Sequence, residues 1–399
     1  MSMADLAPSL PADTARTSGR ARLAVAATVA LLFAGGGFLL HAEQQGQVIA
    51  LLAAFVAVFA LAEKVPVGRR IVGLCRAHPG TVNLTAAVSI LAIAAALREE
   101  HYTLLMMATV ALFATAAAGL TLQMAFAGVP NFAGAAFFAV GAYVAALLGN
   151  TGIPHLLVLL IAGLAAAVLG LVLLLPVLRT RGHYAALVTI AFGLLLRAFL
   201  EVNDVLGGPQ GMKVKSFSLF GLDFSRVTEI GPYDVSFYLP YALASCALFG
   251  LAFFLVRRLE TSFVGVALDA VRSDEVAASV FGLSIARWKA TAFLLGNAMI
   301  GVAGALYGMM NGFVNPNSAN FGDSLIMLSI LVLGGLGNLW GAVVAAVVIL
   351  VIPEKLQAIQ EFRLVIFALL VIAILRFRPS GLMPRAVRDF SALVKGGSR

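Results

Sequence analysis

Charge is what this sequence has least of. Only 12% of its 399 residues are Asp, Glu, Lys or Arg, about half the share of an ordinary water-soluble domain. Hydrophobic residues make up 61% and the mean hydropathy is +1.00, which excludes a water-soluble globule. Cysteine is nearly absent. Cys75 and Cys246 stand far apart in apolar or juxtamembrane sequence, so neither a disulfide framework nor a thiolate metal site is expected. No Gly-x-x-x-x-Gly-Lys-Ser/Thr loop occurs, so the chain has no ordinary means of holding ATP by itself. It also lacks a His/Cys cluster, a Gly-x-Ser-x-Gly nucleophile turn and a pair of acids inside an apolar run. The expectation is a chain with no catalytic site, metal or cofactor of its own.

What is present is a succession of apolar runs long enough to cross, or nearly cross, a hydrocarbon layer about 30 Å thick. Stretches such as Leu156 to Leu178 are continuously apolar, which fits spanning helices and not the alternating pattern of a barrel. The predicted class is an all-α polytopic membrane protein. Spans are expected near 23–41, 48–62, 82–97, 103–126, 132–149, 155–178, 184–200, 238–257, 289–311, 324–337, 340–353 and 363–376. The segments 324–337 and 340–353 are short and separated only by Asn338 and Leu339. They read as a broken or re-entrant pair, giving about ten to twelve spans. The first run follows Arg20 and Arg22. It has features of a signal peptide, but its length favours an uncleaved helix.

A net charge of +8 raises the question of a nucleic-acid partner. The basic residues are scattered between apolar runs, which assigns them to orientation in membrane lipid instead. Most of the 27 Lys and Arg residues fall on one side if the N-terminus is cytoplasmic, among them Arg69, Arg70, Arg179, Arg257, Arg258, Arg287 and Arg385. The implied layout is a bacterial inner-membrane protein with both termini in the cytoplasm. A tail over 1–22 leads to N-terminal spans over 23–100 and a core over 101–378, which carries an outward loop at 201–236 and an inward loop at 258–288. A second tail covers 379–399.

The inward loop is the most specific segment. Ser262 suits a helix N-cap and Gly282 the left-handed residue that ends a helix, so one short helix is expected between them. Ala277 and Ala278 would form a smooth patch, with Arg272, Asp274 and Glu275 supplying charge, as a docking surface for a moving partner requires. The bland alternative is an amphipathic helix lying on the membrane. In the outward loop, Gly207, Gly208, Pro209 and Gly211 mark a turn. Gly304, Gly308 and Gly312 recur every four residues, as do Gly337 and Gly341, so small helix faces can pack closely and can also slide. Polar residues inside apolar runs cost free energy unless they find a partner or line a wet cavity. Gln123, Asn131, Thr189 and Asn297 are therefore candidates for a translocation path or for helix-to-helix hydrogen bonds. Pro130 and Asn131 could open a broken helix whose N-terminal amides face that path.

Asp274, Glu275, Ala277 and Ala278 followed by Gly282 resemble the coupling loop of ABC importer permeases. Around them stand Gly141 and Tyr143, Arg179 to Tyr184, Gly207 to Gly211, Gly304 with Tyr307 and Gly308, and Gly334 to Gly341. In this order they are similar to the LivM-type permeases of the branched-chain amino-acid importers over roughly residues 103 to 385. Two departures are Val129 to Gly134, where the family usually has Ser-Leu-Gly-His, and Ala342 in place of a common Pro.

The resemblance implies the ABC importer permease fold and alternating access. The partners it implies are a LivH-like second permease in a heterodimer, two ATP-binding subunits that hold ATP and Mg, and a periplasmic substrate-binding protein. Charges of the outward loop such as Glu201, Asp204, Asp223, Glu229 and Asp234 would receive that binding protein. Branched-chain amino acids are the expected cargo, with urea or short amides as the alternative. An ion-coupled carrier is the competing class, disfavoured by the scarcity of acids at membrane depth.

Overall fold

The computed structural model describes residues 19–41, 77–180, 183–219, 222–224, 228–230, 233–355, 381–383 and Arg385, with a few single positions between 46 and 75 and between 365 and 376. The spans expected at 48–62 and 363–376 lie almost wholly outside the described residues. The chain forms two units, Met1–Leu97 and Arg98–Arg399. In the first, α1 (Gly19–His41) packs on α2 (Pro79–Ala96), with Gly37 set close to the side chain of Ile93.

The second unit begins with α3 (His101–Leu120), whose last turn loosens into a π-helical turn, Thr121–Phe126. It continues with α4 (Gly134–Leu148), α5 (His155–Arg179) and α6 (His183–Val202). After a segment of short strands come α7 (Tyr238–Thr261), α8 (Phe263–Ser273), α9 (Glu275–Val280) and α10 (Ile285–Asn311). The described chain then runs through α11 (Phe321–Gly334) and α12 (Leu339–Ala346). A second π turn, Val347–Val351, leads on to α13 (Ile352–Lys355).

Seven helices among the described residues, α1, α2, α3 with its π turn, α5, α6, α7 and α10, are long and apolar enough to cross a membrane. The chain is a multi-pass, all-α membrane protein. At 1.5 Å per residue, the 15 residues of α4 and the 14 of α11 reach only about 21 to 23 Å. The pair expected at 324–337 and 340–353 is a tight helical hairpin. Its turn is Gly335 to Asn338, and Leu339 already belongs to α12.

Helix α10 is the central post, and glycine explains how three helices crowd onto it. A Cβ on Gly304 would collide with the carbonyl of Phe138 in α4, and one on Gly141 with the backbone of Gly301. Gly119 of α3 abuts Gly296, while Gly163 and Gly170 of α5 face Val302 and Asn297. Without a hydrophobic force between helices in lipid, such close backbone contact is what holds them together. The predicted glycine stripes are partly corrected. Gly304 and Gly308 do face α4, but Gly312 caps α10 at φ +71°, and its carbonyl accepts from Val214 N–H at 3.0 Å. Gly341 packs against Gly334 across the hairpin, whereas Gly337 sits in the turn at φ +94° and shares no helical face with it.

The described residues of the 201–236 segment are tied back onto the helices. Gly207, Gly208 and Gly211 all take positive φ, letting two 3-10 turns fold back, with Pro209 in the second. Strand β1 (Met212–Lys213) then pairs antiparallel with β2 (Phe313–Val314), just beyond α10. Farther on, the backbone N–H of Ser218 donates to buried His155 Nδ1 at 2.7 Å, and that of Phe217 to Tyr241 Oη at 2.8 Å. Of the charges proposed for docking, Glu201 pairs with Arg197 at 2.9 Å and Asp223 accepts from Ser216.

Candidate functional site

The four polar residues chosen from apolar runs converge. Gln123 Nε2 donates to Asn297 Oδ1 at 2.9 Å, and Asn131 Nδ2 donates to Gln123 Oε1 at 2.6 Å. Thr189 Oγ1 accepts from the backbone N–H of Phe132 at 3.1 Å and donates to Ala186 O. All four side chains are essentially inaccessible. Gln123, Asn131 and Asn297 form a buried hydrogen-bonded cluster, beside which Thr189 holds the backbone of Phe132, and Asn297 Nδ2 is left without a hydrogen-bond partner. An amide offers both donors and acceptors, so amides buried together satisfy most of one another's groups.

The backbone at the start of α4 is held by side chains. Phe132 N–H is held by Thr189, Ala133 N–H by Asn131 Oδ1 and Ala135 N–H by Ser324 Oγ.

The 258–288 loop is a two-helix knuckle. The expected single helix breaks at Asp274, whose Oδ1 accepts from the N–H groups of Val276 and Ala277 at 2.8 and 3.0 Å. Asp274 is thus the N-cap of α9. Ser262 precedes α8 without capping it, since its hydroxyl donates back to Leu259 O. Gly282 does take the left-handed conformation after α9, at φ +81°.

The predicted charges are exposed, and each also makes a contact within the chain. Lys289 Nζ donates to Glu275 at 2.6 Å, tying α9 to α10. Arg272 donates to the carbonyl of Ala125 inside the π turn of α3, with its stem against Gly128. Ala277 is exposed, but Ala278 is buried at 4% and forms no surface patch. The exposed surface also carries Val276, Val280 and Phe281, at 74%, 80% and 85%.

Sequence reasoning missed the last fastening. Residues 381–383 lie along the α11–α12 hairpin, with Leu382 N–H on Leu333 O and Met383 N–H on Gly334 O. Beyond them, Arg385 Nε donates to Glu260 Oε1 at 3.0 Å and its terminal nitrogens approach Asp269 at 3.4 Å. The same guanidinium lies 4.3 Å from the ring centroid of Phe126, the last residue of the π turn. Part of the predicted C-terminal tail is therefore a strut of the knuckle. Arg385→Met keeps the stem but deletes the cation shared by two mostly buried carboxylates. It should destabilise the knuckle by about 2–4 kcal/mol, measured as faster limited proteolysis between Arg257 and Lys289.

At the opposite end of α3 a cavity of about 300 Å³ opens among α3, α4, α10, α11 and α13. Its polar lining is Thr109, Tyr307, Asn311, Ser318, Asp323 and Glu354, none of which was named as a path residue from the sequence.

The family model for the branched-chain amino acid transport system permease component matches residues 102–375, and these carry the polar cluster, the knuckle and the cavity. The chain belongs to that family. The high-affinity branched-chain amino acid transport system permease protein LivM of Escherichia coli (strain K12) is 37% identical over 281 residues, which are 67% of this chain and 66% of that protein. LivM of Salmonella typhimurium is 36% identical over the same shares. A probable branched-chain amino acid transport permease protein LivH from Methanocaldococcus jannaschii is 31% identical over 58% of this chain and 73% of its own length. The aligned part of this permease thus spans just under two thirds of the LivM relatives. No solved structure matches it.

Proposed function

We propose that this chain is a membrane-spanning subunit of an ATP-driven importer of branched-chain amino acids and works by alternating access. The observation that carries the reading is the knuckle. It is a rigid two-helix projection, fastened by Glu275, Arg272 and Arg385, that presents three apolar side chains to a partner. In this reading two separate ATPase subunits, which hold ATP and Mg, receive Val276, Val280 and Phe281. A LivH-like permease completes a heterodimer, and a periplasmic binding protein delivers substrate at the 201–236 end. The membrane is the bacterial inner membrane, with both termini cytoplasmic. The chain itself performs no chemistry; it converts motion at the knuckle into exposure of a path to one side or the other.

Val280→Glu with Phe281→Glu is the suitable test, because Glu275 already serves the fold and its reversal would unseat α9. The double variant should fold normally and lose at least tenfold of substrate-stimulated ATP hydrolysis when purified with its ATPases. Leucine transport that persists with the ATPases removed would instead identify an ion-coupled carrier. Urea or a short amide in place of leucine as the stimulating solute would move the cargo to that alternative.

A further inference from the structure

We infer that the root of the knuckle, where α8 packs on the ends of α7 and α10, is a binding site for the headgroup of an anionic phospholipid. The inference rests on the chain spanning a membrane and does not depend on its cargo. Four basic residues stand at this root. Arg257 is paired with Glu260 at 3.0 Å and Lys289 with Glu275 at 2.6 Å. Arg258, in the last turn of α7, and Arg287, in the first turn of α10, are exposed and have no ion pair or side-chain hydrogen bond among the described residues. Trp288 follows Arg287, and Phe263, the first residue of α8, follows Arg258 by five positions. The two rings meet edge to face with centroids 6.0 Å apart, so this aromatic contact joins the two arginine-bearing helix ends. Phe263 is nonetheless 69% exposed, an apolar surface left open beside two unpaired cations.

Helix geometry puts this patch at the edge of the hydrocarbon. On α7, the exposed Leu251, Phe254 and Leu255 lead by helical spacing to Arg258. On α10, the exposed Leu294 lies two turns from Arg287 on the same face. Each arginine therefore ends an outward apolar stripe. From Tyr238 at the start of α7 to Arg258 the rise is about 30 Å, the thickness of a bilayer core. Helix α5 gives the same level independently. It runs antiparallel to α10, with Gly163 against Val302 and Gly170 against Asn297, so Arg179 at its end stands level with Arg287. Arg179 in turn follows the exposed stripe Leu164, Val168, Val172 and Leu175. Aromatic rings and arginines at this depth meet the headgroup layer, with the arginine stems lying along acyl chains. A guanidinium matches the two free oxygens of a phosphodiester. Two such cations, with no acid of the chain paired to either, favour a headgroup with net negative charge over a zwitterionic one. A lipid held by both arginines links the end of α7 to the start of α10, the two helices from which the knuckle projects.

The experiment uses the complete complex in detergent and phosphatidylglycerol with a fluorescent acyl chain as the probe. Unlabelled phosphatidylglycerol should displace the probe at least tenfold more effectively than phosphatidylcholine. Glycerol 3-phosphate, which has the phosphate without the acyl chains, should not displace it. Arg258→Gln and Arg287→Gln should each weaken probe binding about fivefold, and the pair about thirtyfold. Replacing both by Lys should retain most of the binding, and raised salt should weaken the wild type more than the double Gln variant. Co-purification of the partner subunits and an unchanged melting temperature check that each variant is folded and assembled. Equal displacement by phosphatidylcholine, or a double Gln variant that binds the probe as the wild type does, overturns the lipid site. Displacement by glycerol 3-phosphate overturns it in favour of a soluble phosphate. Folded variants that lose their partner subunits overturn it by showing that the two arginines meet protein.

Discussion

Gly304→Val is expected to leave little or no folded protein. The new Cβ would fall on the carbonyl oxygen and carbon of Phe138, and these are backbone atoms of a helix that cannot turn aside as a side chain would. Helix α4 would have to retreat from α10 along the line where Gly141 meets Gly301 and Gly308 meets Ala142. Overpacking in a well-filled core costs about 1–3 kcal/mol when side chains can yield. Here the obstacle is main chain, and the loss should be above about 3 kcal/mol. The measurement is monodisperse yield and the melting temperature in detergent. Gly250→Ala is the control. Its helix site on α7 has nothing within 4 Å, so the change should be neutral or stabilising by about 0.5–1 kcal/mol.

Gln123→Leu is the second large effect expected. The substitution nearly preserves shape but deletes the acceptor of Asn131 and the donor to Asn297 in one step. Asn131 Nδ2 keeps only a 3.4 Å approach to Asn297 Oδ1, at a position with 1% exposure. Stranding buried amide groups should cost about 2–4 kcal/mol. The double variant Gln123→Leu with Asn297→Leu should cost less than the sum of the singles, by about 1–2 kcal/mol, because removing both partners leaves fewer unmet groups. Additive losses in thermal unfolding would show that the two amides act independently.

The helices were legible because an apolar run of sufficient length admits few structures in lipid. Gln123, Asn131, Thr189 and Asn297 were legible as exceptions to such runs. Their meeting was not, since Gln123 and Asn297 lie 174 positions apart and one sequence carries no sign of which polar exceptions pair. In the 258–288 loop one short helix was expected, and its break into two was not legible. Asp274 looks like a surface charge in sequence, yet an Asp followed by three helix formers also reads as an N-cap, and in three dimensions that use prevails. Ala278 and Val280 differ only in which side of a six-residue helix they occupy, and with so short a helix the sequence period does not decide the face. The cavity went unread for another reason. Asp323 and Glu354 sit at helix ends, where acids are ordinary, and only the convergence of α3, α11 and α13 gives them a shared space.

Arg385 also sets an order of events during synthesis. The knuckle acids Glu260 and Asp269 leave the ribosome 125 and 116 residues before the arginine that joins them. At about 5–20 residues per second, Asp269 is made roughly 6–23 s before its partner. The final fastening between knuckle and π turn therefore cannot close until α10, α11 and α12 have all been made. A nascent chain stalled short of that point has a loosely held knuckle, and only chains made past Arg385 have the knuckle fully fastened.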